Sequence, residues 1–293
     1  MGARSRIAAL VVVASALAAC GQSTTSTTSK ASTSSGPKPT AIVPVSAGAL
    51  SMGPLQPNGE VAVLAGTSNS KGVFFYDLAS GKEVGSFSVS NLATAVTELP
   101  SGVVAVGLGN SRVGAVDLDT TSGQQLASIP VAAPVRGLAL GTNGNSIDVL
   151  VGTSTTRAVV VLDVTTRLAT TTIPVSANTV AIAPSTSGTE LYGLDANGFV
   201  DVYAMTTGQK IGTFPVGHSG IDLVASPDGS ALYVLKGVGG IRNVAVVNLA
   251  TEGDVRALPA PADSVAIETD LSGTHLLELV GGSAANIQEW PVS

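Results

Sequence analysis

Two spaced columns recur along the chain, and their spacing limits the possible folds more than any other feature. The first is Ile-Pro-Val or a close variant, centred on Pro44, Ser88, Pro130, Pro174, Pro215 and Pro259 at intervals of 44, 42, 44, 41 and 44 residues. The second is a glycine behind a small polar residue, at Gly59, Gly102, Gly144, Gly188, Gly229 and Gly273, with intervals of 43, 42, 44, 41 and 44. The columns stay in phase within one residue through six units. A period of this size marks an array or a ring of supersecondary modules.

Each unit has the same grammar. In the fifth, a strand leads to Asp228-Gly229, then to the strand "ALYVL", a Gly-rich loop, the strand "NVAVVNL", the Glu252-Gly253 turn and the strand "VRALP". Short Val/Leu/Ile-rich runs bounded by turn dipeptides signal successive antiparallel hairpins. Small residues between bulky ones, such as Ala181 and Ala183 around Ile182, suit an inner strand crowded near an axis. Proline is tolerated on sheet edges, where its missing N–H breaks no ladder, so Ile-Pro-Val marks the outer strand of each unit.

The ends of the repeat predict closure. Asp77, Asp117, Asp163, Ala204 and Asn248 mark the third strand, 15 to 19 residues after the turn glycine, and Glu289 lies 16 after Gly273. The chain therefore stops after a third strand, and the missing fourth is "AIVPV", residues 41–45, at the other end. The reading is all-β: a six-bladed β-propeller of four-stranded antiparallel blades over 41–293, its last blade closed by the N-terminal strand. The segment Ser226 to Gly253 resembles the bacterial YVTN-type β-propeller repeat, with Pro-Asp-Gly, a Tyr-Val strand, a Gly-rich loop and a Val-rich strand before a turn. Leu235-Lys236 stands where that repeat has Thr-Asn. Members commonly have seven blades, so seven is the alternative count.

Residues 1–19 read as an export signal. Arg4 and Arg6 precede an apolar run from Ile7 to Ala16 that is too short to span a bilayer comfortably, and "LAAC" follows. Leu17 to Cys20 with Gly21 resembles the bacterial lipobox. That resemblance implies cleavage before Cys20, acylation of its thiol, and attachment to the outer side of the cell membrane through lipid; two or more acyl chains anchor stably where one does not. Cys20 is the sole cysteine, so no intramolecular disulfide forms. Residues 20–40 carry "GQSTTSTTSKASTSSGPKPT" after the cysteine, a tether with nothing to bury and a reach of about 25 Å.

Loss of residues 1–19 removes two arginines and no acid, moving the formal charge from −6 to −8. An acidic chain without a basic run argues against nucleic acid and against electrostatic attachment to anionic lipid. Candidate ligand-binding residues come from the loops that lead into each inner strand: Gly48, Asn91 or Leu92, Arg136, Asn178, His218, Ser219 and Asp263. Arg136, Asn178, His218, Ser219 and Asp263 are the polar members, and this face is expected to meet an envelope protein, peptide or glycan, with the chain a monomer.

Catalytic signals are sparse. The only histidines are His218 and His275, no Gly-x-Ser-x-Gly occurs, and Ser68-Asn-Ser-Lys71 lies in an inter-strand loop where Ser-x-x-Lys chemistry needs a helix start. The Asp column at strand ends is expected to bond its own backbone. Without cysteine in the domain a transition-metal site is not expected, nor is any other cofactor. The alternative to a binding or scaffold module is a lactonase-like hydrolase, with a divalent metal held in the channel by Asp222, Asp263, Glu268 and Asn178. A third possibility is a purely structural spacer. The single Trp290 and the absence of Trp-Asp dipeptides weigh against quinone-dehydrogenase and WD-type propellers.

Overall fold

The computed structural model describes residues 38–110, 112–217, 219–270 and 272–292. The signal, Cys20 and most of the tether lie outside the described residues, as does His218. The first strand, β1 (Ala41–Pro44), belongs to the last blade. Blade 1 comprises β2 (Ala49–Met52), β3 (Glu60–Gly66), β4 (Lys71–Asp77) and β5 (Lys82–Val89), and blade 2 comprises β6 (Ala93–Glu98), β7 (Val103–Gly109), β8 (Gly114–Thr120) and β9 (Gln125–Val131). Blade 3 has β10 (Val135–Leu140), β11 (Ser146–Gly152), β12 (Arg157–Asp163) and β13 (Leu168–Val175). Blade 4 has β14 (Thr179–Pro184), β15 (Glu190–Asp195), β16 (Phe199–Ala204) and β17 (Lys210–Pro215). Blade 5 has β18 (Gly220–Ala225), β19 (Ala231–Val238), β20 (Ile241–Asn248) and β21 (Gly253–Ala260). Blade 6 has β22 (Ser264–Thr269), β23 (His275–Val280) and β24 (Asn286–Pro291), and β1 adds to β24 as its fourth strand.

All six sheets are antiparallel meanders, and the inner strands β2, β6, β10, β14, β18 and β22 contact one another in a closed cycle. The fold is a six-bladed propeller. β1 pairs with β24 from Ala41↔Glu289 to Pro44↔Asn286, so sequence-distant ends share one blade. All six column glycines have φ between 68° and 84°, the left-handed region that a tight turn between strands requires and that glycine enters without Cβ strain.

The Ile-Pro-Val column has a packing reason as well as an edge reason. Its first residue is the plug of the outer strand: Val43, Ile129, Ile173, Phe214 and Leu258 are all buried, Ile173 completely. The prolines beside them face outward and are exposed. Second strands are buried on both sides, as in β11 and β15, because blades stack face to face. Hydrophobic clusters accordingly span neighbouring blades, one of them joining blade 6 to blade 1 through Val43, Met52, Val63, Leu277 and Ile287.

Two bulges recur. In every inner strand the register slips at the same place, leaving Leu50, Thr94, Arg136, Val180, Ile221 and Val265 as the extra residue. In the five outer strands other than β1, a second slip isolates Val84, Leu126, Thr170, Ile211 and Val255. A bulged edge strand twists away from foreign strands, which protects an otherwise open ladder.

One third-strand position departs from the sequence reading. Asp77 and Asp163 accept amide hydrogens from Ser80 and Thr166, as the Asp column predicts, and these bonds hold both carboxyls below their usual range. Asp117 instead lies within β8, where its carboxylate accepts the Ser128 hydroxyl at 2.5 Å. Its place at the turn is taken by Thr120, whose Oγ1 accepts the Gln124 amide.

The two roles within Ile-Pro-Val separate by mutation. Ile173→Ala should lose about 2–5 kcal/mol of stability through the cavity it leaves. Pro174→Ser, which copies Ser88 at the same place in blade 1, should lose no more than ~1 kcal/mol. Denaturant melts of the two variants check this.

Candidate functional site

Each inner strand begins at the end of the ring where outer strands hand over to the next blade, here termed the mouth. A cavity of about 300 Å³ runs down the axis from this end. All six bulged residues line it, and so do the six that follow them, Ser51, Ala95, Gly137, Ala181, Asp222 and Ala266. The bulge thus turns one side chain per blade into the channel, and the small residues beyond it keep the bore open. Five of the bulged residues are Leu, Thr, Val, Ile and Val; the sixth is Arg136.

Arg136 donates through Nε to the Gly152 carbonyl at 3.0 Å, which fixes the exposed guanidinium at the rim. Arg157, at the start of β12, is close enough that its own positive charge is disfavoured by burial and by Arg136. Among the described lining residues only Arg136, Asp222 and Glu268 carry charge.

Asp222 reaches across the seam between blades 5 and 6. Its carboxylate accepts the Ile267 amide at 2.9 Å and the Leu223 amide at 3.0 Å. Burial pushes its pKa up to about 7, against the pull of those two amides. Glu268 is the next residue after Ile267 on β22. Burial first, then the Asp222 charge, raise its carboxyl well above the usual range, offset only in part by the Thr269 amide. Each carboxyl therefore opposes the ionisation of the other.

The sequence-predicted rim residues do not form one ring with Arg136. The Asn178, Ser219 and Asp263 carbonyls each accept an amide from the end of the second strand of their own blade (Ala196, Gly237 and Gly281). The Gly48, Leu92 and Pro134 carbonyls do the same with Gly66, Gly109 and Gly152. Pro134 is therefore the counterpart of Asn178, Ser219 and Asp263 in blade 3, and Arg136 lies two residues further along, inside the channel. Asn178 and Asp263 are exposed on the rim, and Ser219 sits there with φ of 59°. Asp222 and Glu268 do meet in the channel, whereas Asp263 and Asn178 are absent from the cavity wall. Among the described residues no group of three or more His, Cys, Asp or Glu side chains could hold a metal ion. His275, at the start of β23 and outside the cavity wall, has Nδ1 3.0 Å from Thr274 Oγ1 and 3.3 Å from Asp270 Oδ2.

A second, wider depression of about 570 Å³ lies between blades 4 and 5, at the end opposite the mouth. Its acids are largely engaged: Glu190 accepts the Tyr192 hydroxyl, and Asp228 accepts the Ser226 and Ser230 hydroxyls.

Of the acids buried away from the channel, two have the largest pKa shifts. Asp148 on β11 is 1% exposed with neither carboxyl oxygen bonded, and burial pushes it up to about 7. Glu98 on β6 is 3% exposed and is likewise pushed up to about 7, by burial and by the Glu60 charge.

Neither a protein-family model nor a curated protein matches the chain. Among solved structures 1655 chains match, too many to single out one activity. One of them is Kuenenia stuttgartiensis hydrazine synthase, at a TM-score of 0.64 and 19% identity, covering 80% of this chain and 74% of that one. At that identity the likeness shows the propeller fold alone.

The buried acids set a pH dependence. A raised folded-state pKa means that the folded chain keeps protons the unfolded chain has already released between about pH 4 and 7. Stability is therefore full below that window and falls as pH rises through it. Thermal melts should show a falling melting temperature from pH 4.5 to 8. Asp148→Asn should raise it at pH 8 by a few degrees and leave it nearly unchanged at pH 4.5.

Proposed function

We propose that this chain is a bacterial, lipid-anchored propeller of the YVTN type, held outside the cytoplasm through Cys20, and that its mouth face binds an envelope protein, peptide or glycan. In this reading residues 1–19 are removed, residues 20–40 form the tether, and the propeller is the working module. The observation that carries it is directional. β1 runs from Ala41 toward the link into β2, so the chain enters the ring at the end opposite the mouth. A tether attached there leaves the mouth clear of the surface to which the lipid binds. The mouth also differs from blade to blade: Asn178, Ser219 and Asp263 stand where other blades have Gly48, Leu92 and Pro134, with Arg136 just inside and His218 next to Ser219 in sequence. Unlike residues around a ring suit an asymmetric partner, and a scaffold of stacked blades holds them rigidly. A lactonase-like hydrolase needs several oxygen ligands converging on one ion, and Asp222 with Glu268 supplies two.

Crosslinking in intact cells followed by pull-down tests the reading. Replacement of Arg136, Asn178 and Asp263 together by Ala should reduce partner capture by about tenfold or more, a loss of ~1.4 kcal/mol or greater. Replacement of Lys82, Glu83 and Lys210, on the outer strands near the opposite end, should leave capture intact. Equal capture by both variants counts against a binding mouth. Cys20→Ala should move the protein from the membrane fraction to the soluble one, and retention in the membrane would remove the lipid anchor from the proposal.

A further inference from the structure

The channel contains two carboxyl groups that the architecture does not require. Ser51 occupies the Asp222 position in blade 1, and its hydroxyl accepts the Val96 amide across the seam between blades 1 and 2 at 3.2 Å. That is the bond Asp222 makes to Ile267, achieved without a charge. The Glu268 position is filled in the other blades by Gly53, Thr97, Ala139, Ala183 and Val224, so nothing in the inner-strand pattern asks for an acid there. Both groups are held in the bore at a cost in desolvation, and both line the same cavity.

The opposite wall carries the complement. Blade 3 faces blade 6 across a six-fold ring, and Arg136 is the only cation among the described residues lining the cavity. It stands at the second inner-strand position, near the mouth, and Glu268 stands at the fifth. The bulged residue adds no full ladder step, so between two and three steps of about 3.3 Å separate them, ~8 Å along the axis. Leu50, Val180, Ile221 and Val265 stand at the level of Arg136, and between that level and Glu268 the wall carries Asp222 together with Ala95, Ala181, Leu138 and Ile182.

We propose that the channel binds a small zwitterion of the amino-carboxylate class, its ammonium held by Asp222 and Glu268, its acid group by Arg136, and its aliphatic chain by the apolar inner-strand residues between them. A chain of about five or six carbons, with a hydrogen bond at each end, spans the interval. An anion without the ammonium meets the carboxyl pair, and a cation without the acid group leaves Arg136 unpaired beside a second cation, Arg157. A zwitterion satisfies both poles. This site lies inside the ring and does not depend on the mouth binding a macromolecule.

Calorimetric titration of the purified full chain with 6-aminohexanoate, hexylamine and hexanoate tests the inference. Saturable binding of 6-aminohexanoate is expected, with each single-headed analogue at least tenfold weaker. Glu268→Gln should weaken 6-aminohexanoate at least tenfold while leaving the melting temperature equal or higher, since it removes a buried ionisable group. Asp222→Ser, which copies Ser51 and keeps a seam acceptor, should weaken it likewise. Arg136→Gln should abolish the preference for 6-aminohexanoate over hexylamine. Arg136, Asp222 and Glu268 are the charged groups facing the cavity, and an ammonium there draws protons off the pair, so wild-type affinity should rise from pH 6 to pH 8. No saturable binding of 6-aminohexanoate below ~10 mM, binding indifferent to Glu268→Gln, or equal binding of either single-headed analogue would each overturn it.

Discussion

The ring stays shut through a strip of backbone hydrogen bonds between segments about 250 residues apart. Four β1 residues lie against β24, and Thr40 and Val45 extend the strip by donating to Glu289 and Ala285 at 2.7 and 3.0 Å. Val43 from that strand enters the cluster that joins blade 6 to blade 1, so the strip seats a seam as well as covering an edge. Ser46, in the link that follows, donates its amide to the Tyr76 hydroxyl at 2.8 Å. Blade 4 repeats this device, with Ser176 donating to the Tyr203 hydroxyl at 3.1 Å. Each such lock fixes the angle at which one blade passes into the next. Because the channel exists only where six inner strands converge, its bore depends on contacts made at the perimeter. Closure of so long a loop also makes these contacts late and slow to form.

The inner-strand bulge is the second constraint. Side chains alternate between the two faces of a strand, so a regular inner strand would give the channel every second residue and the seam the rest. One extra residue at the same place in every blade breaks that alternation near the mouth and lets adjacent positions both face the bore. Arg136 and Asp222 reach the channel by this route, one at a bulge and the other at the position following it in a different blade. A ring of unlike side chains can then vary from blade to blade without disturbing the seams, whose apolar residues sit further along the strands.

The architecture was legible in the sequence because its markers are backbone requirements. Only glycine enters a tight left-handed turn without strain, so that column recurs in every blade, whereas an edge strand admits proline without requiring it and blade 1 has Ser88 in its place. The burial of the residue before each proline was less visible, since Val, Ile, Phe and Leu all serve as the plug. The site was harder to read. Pro134 lies four residues after Pro130, as Asn178 does after Pro174, so the spacing does mark it as the rim counterpart; a bulge has no composition signal, and nothing in the spacing shows that Arg136, two residues on, enters the channel. The same difficulty displaced Asp117, where "DLDTTSG" offers two acids and a threonine near one strand end and the threonine takes the turn. Asp222 and Glu268 could be named as acids near the axis, but their meeting across the blade 5–6 seam depends on the Asp222–Ile267 bond, which no spacing announces.

Burial alone does not mark an acid as functional here, and the contrast between Asp148 and Glu268 shows what does. Both pay a desolvation penalty that raises their pKa. Asp148 points into a dry seam of the second strands, with both oxygens unbonded and 1% of its surface exposed, so no solute can relieve it and its consequence is a fold that weakens as pH rises. Glu268 is partly exposed to the bore and has Asp222 beside it and Arg136 across from it. Its penalty can be reversed by a positive group that enters from the mouth, and a charge pair screened from bulk water interacts more strongly than one in solvent. Accessibility together with an opposing charge, rather than a shifted pKa, separates the acid that can recognise a ligand from the acid that only destabilises the blade that contains it.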